Sequence, residues 1–175
     1  MNSNSGKNES GASSEYQENL NILRQIDFFS GLPLEATKVF AYLCSRESCK
    51  PGDVIFEQGD EDDRALFIIS GQARLSQQTD NAETTIRHYR EGDFIGRMTL
   101  LGQIRRLFSL TATSEVVCLV ITREKFTKAL EKFPDLVPKF IDVLVHNIYR
   151  WEKRFLKTRT GDCKDCMKIA GVSLV

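Results

Sequence analysis

Apolar residues recur along this chain with two periods, and the switch between them marks the architecture. In EYQENLNILRQIDFF, Leu20, Leu23, Ile26 and Phe29 stand at helical spacing. SGLP interrupts that pattern, and PLEATKVFAYLC opens a second helix with Pro33 in its first turn and Val39, Phe40 and Leu43 on its apolar side. After CKPGD the period shortens to that of strands. The runs VIFEQ, ALFIIS, QARLSQQ, TTIRHYR, RLFSLTATS and VVCLVIT are divided by the turn formers GDEDD, SG, TDNAE and EGD. Evenly spaced short strands with no βαβ alternation predict a mainly β fold of the sandwich, jelly-roll or small-barrel kind.

Helical spacing returns in TREKFTKALEKFP, where Thr122 suits an N-cap and Phe126, Ala129 and Leu130 face inward. A longer helix is predicted from Asp135 to Lys157, with Pro138 tolerated in its first turn. Val137, Ile141, Leu144, Ile148, Trp151 and Phe155 form a heptad-like seam, and Leu136, Phe140 and Val143 form a second stripe beside it. One side of this C-terminal helix is expected to pack on the strands while the other meets a second copy, giving a homodimer. Packing wholly within its own chain is the alternative.

Charge adds a constraint. Twenty-four Lys and Arg balance 24 Asp and Glu, so the formal net charge is zero and no broad electrostatic binding of nucleic acid or acidic membrane is expected. Residues 1–15 are polar and small, which predicts a disordered tail before a domain over 16–157 and a second tail over 158–175. No run approaches the roughly 20 apolar residues needed to span a bilayer. The opening also lacks the apolar centre of a signal peptide, so a cytoplasmic protein with no membrane contact is expected.

The five cysteines are an odd, scattered set and do not read as a disulfide framework. Cys118 sits in the apolar VVCLVI as a core residue. Cys163 and Cys166 form a lone CxxC that reads as exposed tail rather than half a zinc site or a redox pair. His88 and His146 lack metal-ligand partners at useful spacing, and DEDD at Asp60 to Asp63 reads as a solvated turn. With no Walker loop, nucleophile elbow, HExxH or paired catalytic carboxylates, the chain is expected not to be an enzyme and to need no metal.

The candidate chemistry lies in GDFIGRMTLLGQIRRLFSLTA, from Gly92 to Ala112, which combines a glycine turn, an apolar half-turn and two adjacent arginines. Such a stretch fits either an anion held against backbone amides or a structural turn rimmed by solvated arginines.

The whole succession resembles the cyclic nucleotide-binding domain. Helix, FFSGL, helix, KPGDVIFEQGDEDDRALFIISGQARL, EGDFIG, strands, helix and long helix match it from about Leu20 to Phe155, with Gly52, Gly59, Gly71, Gly92 and Gly96 at the family's turn spacing. The resemblance implies an eight-stranded jelly-roll β-roll with N-terminal helices and two C-terminal helices. It also implies a regulatory role with cAMP or cGMP, or another small anionic ligand, as partner.

By the same resemblance the Gly92 to Ala112 stretch is a phosphate-binding cassette, with Gly96, Arg97, Met98, Thr99, Leu100, Arg105, Arg106 and Leu107 as ligand-binding residues. Arg106 takes the place of the phosphate arginine. Ile95 stands where the family has Phe, Arg97 where it has the Glu that accepts from the ribose 2′-hydroxyl, and Leu107 and Phe108 where it keeps small or hydroxyl residues. A hydrogen bond to a charged group contributes about 1.5–3 kcal/mol, so loss of that carboxylate is expected to weaken binding roughly ten- to a hundredfold. Three cationic side chains also suit a ligand of higher negative charge.

Two functions follow. One is a sensor that couples occupancy to the C-terminal helix; the other is a degenerate roll that binds no nucleotide and serves dimerisation or protein interaction. Fewer than 20 residues follow Lys157, too few for a recognition helix, so direct DNA binding is not expected.

Overall fold

The structure, a computed structural model, describes residues 6–80 and 82–158. Among the described residues, eight antiparallel strands form two four-stranded sheets: β1 (Ser45–Cys49), β2 (Val54–Phe56), β3 (Arg64–Ser70), β4 (Gln72–Gln78), β5 (Glu83–Arg90), β6 (Phe94–Ile95), β7 (Ser109–Ala112) and β8 (Val116–Thr122). Their order is β1-β8-β3-β6 in one sheet and β2-β7-β4-β5 in the other, with pairs such as Leu66 opposite Val120 and Leu75 opposite Leu110. The architecture is the expected jelly-roll.

The inner faces meet in one core. Ile55, Phe56, Leu66, Ile68, Ala73, Leu75, Ile95, Leu110, Ala112, Val116, Cys118 and Val120 are buried together. Alternation explains the membership, since Val116, Cys118 and Val120 share one face of β8. Leu119 and Ile121 lie on the other face and are also buried, which accounts for the unbroken apolar run.

Within the first 133 residues the helices α1 (Gly6–Gln25), α2 (Leu34–Leu43) and α3 (Arg123–Lys132) accompany the sheets, and the described residues continue into α4 (Val137–Thr158). Leu20, Leu23, Ile26 and Phe29 are all buried, as their spacing predicts. Thr122 caps α3, its hydroxyl accepting from the Lys125 N–H at 3.3 Å. A cluster of rings joins the end of α1, α2, β6 and α3: Phe28 lies 5.8 Å from Phe94 and 5.9 Å from Phe126, and Phe40 lies 5.4 Å from Phe29 and 5.5 Å from Phe126.

The helix α1 begins at Gly6, so part of the stretch over which a tail is expected is helical. Three expectations are corrected. Pro33 is the N-cap of α2 rather than a first-turn residue, its ψ of 144° being extended. β1 and β6 were not legible as strands, one being the polar SRESC and the other two residues long. The run expected as a strand from Arg106 is paired only over Ser109–Ala112.

The chain divides into two compact units at Phe133 and Pro134, so the long helix lies in the second. Within α4, Val137, Ile141, Val145, Ile148 and Trp151 are exposed, Leu144 is half-buried and Phe140 is buried. Cys163 and Cys166, like the predicted tail over 159–175, lie outside the described residues.

Candidate ligand site around Arg106

Gly96 ends β6 with φ of 82°, a left-handed conformation that costs glycine nothing and other residues a good deal. The chain then makes a single 3-10 turn over Arg97–Leu100, closed by the Thr99 N–H donating to the Gly96 carbonyl at 3.0 Å. One such turn carries little dipole, so the charge complementarity of the site rests on guanidinium groups. Two side chains hold the turn. Thr99 Oγ1 donates to the carbonyls of Gly96 and Arg64, at 2.6 and 3.1 Å, and Arg123 Nη1 donates to the Gly102 and Thr99 carbonyls at 3.1 and 3.4 Å.

Arg106 is the buried charge of the site, 8% exposed. Its backbone is fixed by the Gly59 N–H donating to its carbonyl at 2.7 Å and by its own N–H donating to the Asp60 carbonyl at 2.9 Å. Its Nη2 donates to Asp62 Oδ2 at 3.1 Å and to the Arg64 carbonyl. The guanidinium carbon stands 4.0 Å from the centre of the Phe56 ring, a cation–π contact that sets its plane. A Cβ on Gly96 would come within 2.9 Å of Nη1, so the glycine makes room for the guanidinium. The Nε of Arg106 is buried and has no hydrogen-bond partner.

Asp62 anchors this arrangement. Its Oδ1 accepts from the backbone N–H and Nε of Arg64, at 3.0 and 2.9 Å, and its Oδ2 from Arg64 Nη2 at 3.2 Å. Burial pushes its carboxyl up, but the hydrogen bonds of Arg64 and the charges of Arg106 and Arg64 outweigh that and hold it below its usual value. Burial lowers the Arg106 guanidinium, against the charge and hydrogen bond of Asp62. The reading of DEDD as a solvated turn is therefore corrected at Asp62, whose side chain is 9% exposed.

These residues border a cavity of about 320 Å³ lined by Gly96, Arg97, Met98, Thr99, Arg105, Arg106 and Leu107, with Phe56, Leu75, Tyr89, Ile95, Ile104 and Phe108 completing its walls. Its size falls within the range of small-molecule pockets. Seven of the eight residues expected from sequence thus meet at one place. Leu100 does not, because its side chain is buried in the protein interior. Arg105 stands at the edge, donating to Glu61 Oε1 at 2.7 Å and to the Gly59 carbonyl at 3.3 Å. Arg97 is half-buried 5.9 Å over the Phe94 ring, on the wall shared with a neighbouring cavity that Arg87, Asp93 and Asp27 also line.

Sequence reasoning missed Phe56, Tyr89 and Asp62. Phe56 and Tyr89 carry only the alternation of their strands, and nothing local distinguishes Asp62 from its acidic neighbours.

Comparison with known proteins agrees with this geometry. The family model described as "Cyclic nucleotide-binding domain" matches residues 46–133, half of the chain. Human cGMP-dependent protein kinase 2 is 26% identical over 148 residues, covering 82% of this chain but only 19% of the kinase. Among solved structures, a cyclic nucleotide-binding-like protein from Brucella abortus is 28% identical with a TM-score of 0.60, the alignment covering 65% of this chain and 98% of that one. The catabolite activator protein of Thermus thermophilus is 26% identical with a TM-score of 0.62, covering 75% and 62%. The matching sequence and the matching roll agree: the chain belongs to the cyclic nucleotide-binding domain family.

Proposed function

We propose that this chain is a non-catalytic regulatory module that binds a cyclic nucleotide, cAMP or cGMP, in the cavity beside Arg106 and reports occupancy through its C-terminal helix. The observation that carries the reading is Arg106 itself. A buried donor without an acceptor costs about 1–3 kcal/mol, and Arg106 Nε is in that state at the wall of a cavity. An anion that draws the guanidinium toward it supplies the acceptor. The αL Gly96 and the Phe56 ring keep the planar group in place for this contact.

Support for the cyclic nucleotide comes from family membership and from similar folds solved with one bound, such as the regulatory domain of Toxoplasma gondii PKA with cAMP. A homodimer through α4 is supported by the exposed row Val137, Ile141, Val145 and Ile148, which repeats at near-heptad spacing. No helix among the described residues is long and apolar enough to cross a membrane, and the module is proposed to act in the cytoplasm.

The test is titration calorimetry of the full chain with cAMP and with cGMP, repeated on Arg106→Lys. Saturable heat that the lysine variant loses is the expected result. Absence of both heat and thermal stabilisation at millimolar nucleotide would remove cyclic nucleotide binding.

A further inference from the structure

We propose that Tyr89 is a specificity-determining residue of the cavity, its phenol oxygen accepting a hydrogen bond from the 2′-hydroxyl of the bound cyclic nucleotide. This rests on the reading of the Arg106 cavity as the nucleotide site. Tyr89 lies on β5 opposite the fully buried Ala73 of β4, a register that puts both on the inner face of the sheet, and its half-buried ring packs against the core. It forms part of the cavity wall, where that wall is shared with the neighbouring cavity that Asp27 and Asp93 also line. The Arg87 guanidinium carbon stands 4.7 Å from the centre of the ring, a cation–π contact that orients it. The phenol forms no hydrogen bond with any described residue.

The rest of the cavity explains why this oxygen matters. A sugar hydroxyl both accepts and donates, and any of the arginines in the wall can serve as its donor. Its own proton has fewer places to go. None of the lining residues carries a carboxylate or a side-chain amide, and the thioether of Met98 is a weak acceptor. Thr99 is 2% exposed, with its hydroxyl engaged by the Gly96 and Arg64 carbonyls. Among the described residues, Tyr89 therefore supplies the one lining side-chain oxygen that is open to accept. With Arg97 standing where the family has its carboxylate, the hydroxyl is read from β5 rather than from the cassette.

The experiment is calorimetry on the full chain with cAMP and cGMP, each beside its 2′-deoxy analogue, repeated on Tyr89→Phe. The phenylalanine keeps the ring and its packing and removes only the oxygen, and the deoxy analogue is the internal control, since a merely structural change weakens both ligands alike. A hydrogen bond between neutral groups is worth roughly two- to tenfold in affinity. The unaltered chain is expected to prefer the ribonucleotide over its deoxy analogue by about that factor. Tyr89→Phe is expected to abolish the preference by weakening the ribonucleotide and leaving the deoxy analogue unchanged. A preference that survives in Tyr89→Phe, equal weakening of both ligands, or no preference in the unaltered chain would overturn this inference and leave nucleotide binding standing. Binding of neither cAMP nor cGMP to the unaltered chain would remove both.

Discussion

Arg106 and Asp62 pair at 3.1 Å with each side chain less than a tenth exposed, across 44 residues of sequence. Breaking a buried pair by deleting one partner leaves the other charge uncompensated. Asp62→Ala is expected to lower stability by about 3 kcal/mol, measured by urea unfolding at pH 7. The same group sets an acid limit. Its carboxyl is held below its ordinary value in the folded chain, so its contribution is complete above about pH 4 and is lost as the pH falls through the folded value. Stability between pH 5 and pH 2 should fall less steeply in the alanine variant than in the unaltered chain.

Gly96→Ala tests the fit between glycine and guanidinium. A Cβ there meets the Arg64 carbonyl oxygen at 2.7 Å and Arg106 Nη1 at 2.9 Å, at a φ of 82°. Gly52 has a similar φ with nothing within 4 Å and serves as the control. The control substitution should cost about 1 kcal/mol of backbone strain, and Gly96→Ala about 2–3 kcal/mol together with loss of ligand binding. Equal costs at the two positions would show that Arg106 moves aside freely.

Arg123→Ala removes the tie between the start of α3 and the cassette turn. Two carbonyls, those of Thr99 and Gly102, lose a donor. The expected effect is about 1–2 kcal/mol of stability and faster amide exchange over 97–102. Exchange should change little in β4 and β5, which Arg123 does not touch.

Thiol chemistry offers a separate check. Desolvation pushes the Cys44 and Cys118 thiols up to about 12, and raises that of Cys49 as well, with Cys118 buried and the other two half-buried. In native protein at pH 8, iodoacetamide should modify Cys49 ahead of the other two, with all three equal after denaturation, as read by mass spectrometry. Because the folded thiols hold their protons, the stability they contribute is complete below about pH 8.5 and declines as the pH rises toward 12.

Strands were legible wherever apolar residues alternate or fill both faces, as in ALFIIS and VVCLVIT. SRESC was not, because β1 pairs with β8 through its backbone while its side chains stay half-buried or exposed. Within the site, Gly96 and Arg106 were singled out by the resemblance to the family's cassette, since β6 before Gly96 is too short to be read as a strand. Asp62 could not be, since what buries it are Arg64 and an arginine far along the chain. The 3-10 turn was legible as a short helix, but not that Leu100 would leave the cavity for the interior.

Strand β8 lies between β1 and β3, and its residues are the last of the roll to leave a ribosome. All of the cassette is synthesised earlier, yet the sheet beneath it lacks its central member until Thr122 has emerged. Nascent chains halted short of that point would present two unpaired strand edges to chaperones.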